Sequence, residues 1–316
     1  TSAATTGRSA QGDETASKPT RPAHGQWAER FDLLDAWRGL AALAVVVHHV
    51  AHFYIGGPAV MLFFVISGYC IAASADSCQR KGLGFGRFML RRLKRIYPPY
   101  LLSLVFWAIT RTLKSAMMPG STDLQRTPIE WIQNITLTQW VSLLWNPESS
   151  AAMNPRLFVA AYWSLCYEEQ FYLLTGLMLA VTAAVGVSIR TMVSVLIVAG
   201  LAWNFVFPEI SYGLFLEYWA LFGLGALVFY RLCRSPEVRT RRLIDLSLIA
   251  VLAGSAAMRL WGGGADGWAV DAPGITPEKR AELRLVWDEL MIGAGFAMLL
   301  IVTRPLNERI RTLLIY

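Results

Sequence analysis

Charge is what this sequence has least of. Charged residues make up 16% of its 316 positions, where an ordinary soluble domain carries about a quarter. A soluble fold with a fully solvated polar shell is therefore a poor fit. Cysteine is scarce too. Cys70, Cys78, Cys166 and Cys233 include no CxxC pair, so neither a disulfide framework nor a zinc site is indicated. Residues 1–30 are polar, rich in Ala, Ser, Thr and Gly, and contain no apolar h-region. They read as a disordered cytoplasmic tail and not as a signal peptide. No internal repeat is evident.

What is present is apolar surface in blocks of membrane-span length. Hydrophobic residues reach 55% and the mean hydropathy is +0.42. Candidate spans lie near 36–54, 58–74, 97–113, 157–184, 191–207, 213–230, 243–261 and 285–302. The expected architecture is all-α: a polytopic helical membrane domain of about eight transmembrane helices over 31–316, after a tail at 1–30. With the N-terminus in the cytoplasm, the basic clusters Arg80 to Arg95, Arg231 to Arg242 and Arg304 to Arg311 all fall on one side. The segments near 114–156 and 262–284 balance their charges on the other. The net charge of +7 is thus mostly a topology signal. It does not indicate a nucleic-acid surface, because the basic residues punctuate spans. Asn134-Ile135-Thr136 fits a glycosylation pattern that chance alone often produces.

Three polar clusters interrupt the apolar pattern. Arg38 and His49 are eleven residues apart. Eleven steps of about 100° bring them back to one helical face, roughly 16 Å apart along the axis. A neutral imidazole near mid-bilayer suits a general base, and a hydrogen bond between helices suits it equally. His48 and His52 have i,i+4 spacing, but no carboxylate or cysteine set completes a metal site, so none is expected. The run Arg91-Arg92-Leu93-Lys94-Arg95 reads first as a positive-inside flank. Arg92 and Arg95 could also clamp an anionic ligand. The third cluster, Tyr162 to Tyr172, holds the adjacent Glu168 and Glu169. A carboxylate in a span costs about 3 kcal/mol on insertion scales. Glu168 at the depth of His49 could orient or charge-stabilise it; a buried ion pair is the structural alternative.

Four blocks in order give the sequence a family resemblance. Leu34 to Leu43 with His49 resembles an Arg-X10-His helix, and Ala59 to Tyr69 (AVMLFFVISGY) a second-span signature. Arg92-X2-Arg95 with Ile96 and Pro98 is similar to a cytoplasmic arginine motif. Trp163-Ser164-Leu165 followed by Glu168-Glu169-Gln170-Phe171-Tyr172 is similar to a fourth-span motif. Together they resemble the acyltransferase 3 family of integral membrane acyltransferases, which modify O-antigen, nodulation factors and other surface glycans. The resemblance covers about 31–174; beyond it only hydropathy and span number agree.

The resemblance implies His49 as catalytic base with Glu168 as its acidic partner. It implies that Arg38, Arg92 and Arg95 hold the phosphates of an acyl-coenzyme A, acetyl-CoA being the expected donor. Ser67, Tyr69, Trp163, Glu169 and Tyr172 would line the substrate pocket. His48 is one residue short of the motif spacing. Cys166-Tyr167 replaces small or aliphatic residues expected before the glutamate. The family usually has about ten spans, so a C-terminally shortened chain is one expectation.

The expected activity is acyl transfer from cytoplasmic acyl-CoA to a hydroxyl of an extracytoplasmic glycan or glycolipid, in a bacterial inner membrane. Direct transfer is simpler than an acyl-enzyme, and an acyl-histidine intermediate remains open. The alternative is a proton-coupled secondary transporter, which would also use His and Glu at mid-bilayer.

Overall fold

The computed structural model describes residues 33–118, 126–142, 157–206, 213–235, 237–261 and 277–315. The expected tail and parts of both long loops, with Trp145 and Trp268, lie outside the described residues. The described secondary structure is entirely helical. It comprises α1 (Leu33–Ala51), α2 (Gly56–Arg80), α3 (Phe85–Met117), α4 (Pro128–Thr136), α5 (Trp163–Val185), α6 (Ile189–Val206), α7 (Trp219–Phe229), α8 (Val238–Trp261) and α9 (Pro277–Ile315). Each expected span falls on one of these. Four helices (α1, α2, α8 and the Leu285–Leu306 part of α9) are long and apolar enough to cross a bilayer. The count of eight crossings goes beyond that. α7 has 11 residues before a π-turn, and α3 and α5 carry polar clusters.

The boundaries differ from the sequence reading at several places: α3 starts at Phe85, twelve residues before the expected span, α9 extends beyond 285–302 at both ends, and three further differences have a local cause. α1 stops at Ala51 because His52 takes a left-handed conformation (φ 58°) and the chain turns. α5 begins at Trp163, after a 3₁₀ turn over Ala160–Tyr162. α7 begins six residues late, and Gln170 of α5 supplies the reason. Its side-chain amide donates to the Gly213 carbonyl (3.0 Å) and accepts from the Phe215 amide (2.9 Å). Those backbone groups are satisfied without a helix. α4 was not anticipated. It starts with a capping box in which Thr127 and Glu130 satisfy each other's backbone N–H groups.

α2 is the axis of the bundle. Its apolar window is 67% buried, against 11% for α1 and α8. It runs beside α7 so closely that a Cβ on Gly68 would stand 2.0 Å from the Phe222 carbonyl oxygen. One on Gly225 would stand 1.9 Å from that of Val65. Small residues on both helices allow this backbone approach, as is common where helices pack in lipid. At the far end of α2, Asp76 accepts from both Arg80 (2.9 Å) and Arg234 (2.8 Å), while Arg231 chelates Asp245. α3 and α5 lie antiparallel, their contacts stepping in opposite directions. Arg92 meets Tyr172, Tyr97 meets Glu169, and Ser103 meets Tyr162.

Candidate active site

α1, α2, α3 and α5 enclose a cavity of about 510 Å³, within the range of small-molecule sites. On α3 its wall is a single helical stripe: Arg95 and Ile96, then Pro99 and Tyr100, then Ser103. Ser164, Leu165 and Glu168 repeat that spacing on α5, and Phe63, Phe64 and Ser67 on α2. Arg38 completes the wall from α1. Its guanidinium reaches the Cys70 sulfur at 3.5 Å and Asp35 at 3.7 Å.

Glu168 is the most constrained group in this wall. Its Oε1 accepts from Ser67 Oγ at 3.2 Å and from the Tyr172 hydroxyl at 2.5 Å. Oε2 takes no hydrogen bond among the described residues. The carboxylate is thus anchored by one oxygen.

Of the remaining candidates, some converge here and some do not. Arg38, Arg95, Ser67 and Glu168 share the cavity wall. Tyr172 stands behind Glu168, almost wholly buried. Arg92 is buried (6% exposed), donates to the Cys70 carbonyl and lies over the Phe88 and Tyr172 rings, outside the cavity wall. His49 occupies the Arg38 stripe of α1, as its spacing predicted, at the exposed edge of the helix's buried face. No hydrogen bond joins it to Glu168 among the described residues. His48 instead closes the α1–α2 turn, donating to the Phe53 carbonyl (2.5 Å) and packing against Gly56.

Three candidates face away from the cavity. Glu169 accepts from Tyr97 (2.9 Å), which also donates to the Thr136 carbonyl and so ties α3, α4 and α5 together. The Tyr69 hydroxyl meets Cys233 (3.4 Å) beside Phe229. Trp163 packs edge-on to Phe64 and Tyr167. Asn134 of the glycosylation pattern is fully buried, its Oδ1 accepting from the Phe158 amide (3.0 Å); in the folded protein its role is structural. Among the described residues no three His, Cys, Asp or Glu side chains converge as metal ligands. The sequence reading missed Ser103, Ser164 and Tyr100. Ser164 lies i,i+4 from Glu168, while Tyr100 and Ser103 lie five and eight residues beyond Arg95, and that helical periodicity is the signal that would have found them.

A family profile described as an acyltransferase domain matches residues 31–315. The chain belongs to the acyltransferase 3 family. This acyltransferase domain is 40% identical over 86 residues to "Protein 2 in picA locus" of Rhizobium radiobacter, covering 25% of the chain and 45% of that protein. It is 29% identical over 151 residues to the O-acetyltransferase OatA of Staphylococcus aureus, covering 46% of the chain and 24% of OatA. The chain thus spans less than half the length of these curated relatives. No solved structure matches it.

Proposed function

We propose that this membrane acyltransferase moves an acyl group, in the simplest case acetyl, from acyl-coenzyme A to a hydroxyl of an extracytoplasmic glycan or glycolipid. The observation that carries this reading is the cavity itself. It presents two guanidinium groups, Arg38 from α1 and Arg95 from α3, and α5 presents a carboxylate anchored by a single oxygen. Guanidinium groups suit the phosphates of coenzyme A, and 510 Å³ accommodates a pantetheine arm with a short acyl group. The printed activity of OatA, O-acetyl transfer, supports the same chemistry. The positive-inside pattern places Arg38 and Arg95 toward the cytoplasm. The relatives being bacterial, the cell membrane is the proposed location.

In this reading the acceptor enters from the end nearer Ser103 and Ser164. His49 takes the hydroxyl proton as the oxygen attacks the thioester carbonyl. The C–S bond then breaks, and the departing thiolate recovers that proton from the imidazolium while the new ester leaves. Glu168 stabilises the transient positive charge. His49 sits on a helix with only two fully buried residues, Leu34 and Ala41. His49 does not line the cavity in this structure, so this reading requires α1 to move toward the occupied cavity.

The test is free-thiol release from acetyl-CoA by the full chain in liposomes, with an envelope glycan extract supplied outside. Acceptor-dependent release that falls by about 10²-fold or more in His49→Ala supports the reading. Full activity in that variant removes His49 from the mechanism. Uptake that leaves the thioester intact would favour the transporter instead.

A further inference from the structure

The two arginines of the Arg-X2-Arg motif have different surroundings. We infer that they divide the work: Arg95 meets the donor phosphates, while Arg92 is a positioning residue that holds Glu168 through Tyr172. The inference rests on the acyl-transfer reading above.

Three residues on a helix are about 300° apart, so Arg92 and Arg95 face directions 60° apart. Arg95 is exposed and lines the cavity. Arg92 points between α2 and α5, where it is 6% exposed and off the cavity wall. Its Nη2 donates to the Cys70 carbonyl, its Nε has no hydrogen-bond partner, and it forms no ion pair among the described residues. A buried guanidinium in that state is costly unless an anion lies close.

The Tyr172 ring lies between Arg92 and the Glu168 carboxylate. The Arg92 guanidinium carbon is 5.5 Å from the centroid of the Tyr172 ring, and the Tyr172 hydroxyl donates to Glu168 Oε1. A cation against the ring draws electron density from it, which makes the hydroxyl a stronger donor. Arg92 also fixes the ring in place, wedged against Phe88 on its other side at 5.8 Å. With Ser67 on the same oxygen, two donors hold Oε1 of a carboxylate that lines the cavity.

The test compares kcat and KM for acetyl-CoA in full-length Arg92→Gln, Arg92→Lys, Arg95→Gln and Glu168→Gln, with thermal melting to confirm folding. Arg95→Gln should raise KM about tenfold with kcat within about twofold. Arg92→Gln should do the reverse, lowering kcat about tenfold with KM nearly unchanged. Arg92→Lys keeps the charge without the flat stacking face and should recover part of kcat. If Arg92→Gln does not fold, Arg92→Lys carries the same comparison. On the Glu168→Gln background, removal of Arg92 should cost less than about twofold more, because both changes disable one unit. A KM rise like that of Arg95→Gln, or full additivity with Glu168→Gln, would overturn the inference. Absence of thiol release from the unmutated protein would instead remove the acyl-transfer reading beneath it.

Discussion

Glu168 gains its constraint from two neutral donors, Ser67 and Tyr172, and not from a salt bridge. A hydrogen bond to a charged group contributes about 1.5–3 kcal/mol. Ser67→Ala or Tyr172→Phe should therefore lower kcat by roughly tenfold or more, and lower the melting temperature by the few degrees that the lost bond supplies. Steady-state thiol release checks the first, and a melting curve in detergent the second. These residues were partly legible. Arg38, Ser67 and Glu168 stand out as polar groups in apolar segments, and helical periodicity alone puts Arg38 and His49 on one stripe. Spacing alone does not separate Glu169 from Glu168; the family resemblance does, by giving Glu168 the acidic position. Two adjacent carboxylates point about 100° apart, and only the placement of α3 and α4 decides which meets the cavity and which meets Tyr97.

At the scale of elements, the α2–α7 contact governs whether the cavity exists at all. Gly68→Val would drive a side chain into the Phe222 backbone, and Gly225→Val into that of Val65. Backbone cannot yield as a flexible side chain can, so each should destabilise by about 3 kcal/mol or more. Gly254→Ala on α8 meets nothing within 4 Å and should stabilise by up to about 1 kcal/mol. Melting temperatures of the three variants distinguish these outcomes. Thr127→Ala, which breaks the capping box of α4, should cost about 1 kcal/mol. The long helices were legible because span-length apolar runs are a strong signal. The late start of α7 was not, because it depends on Gln170 reaching across to Gly213 and Phe215. α4 was passed over although Thr127-Pro128-Ile129-Glu130 carries a helix-start signal in the sequence.

Across the whole molecule, positive charge at one end and hydroxyl groups toward the other give the cavity a direction. Donor binding through Arg38 and Arg95 should weaken as salt rises, because screening acts on partly exposed charges. KM for acetyl-CoA should climb between low and physiological ionic strength. S-acetylpantetheine has no phosphates and should be a poor donor, insensitive both to salt and to Arg95→Gln. Equal salt sensitivity for the two donors would detach the arginines from phosphate binding. The most direct measurement is a cryo-EM structure of the full chain in a nanodisc with a non-hydrolysable acetyl-CoA analogue. The account predicts the phosphates at Arg38 and Arg95, the acyl group between Ser67 and Glu168, and α1 shifted so that His49 faces the acyl carbon. An analogue bound elsewhere, with this cavity filled by lipid, would contradict it.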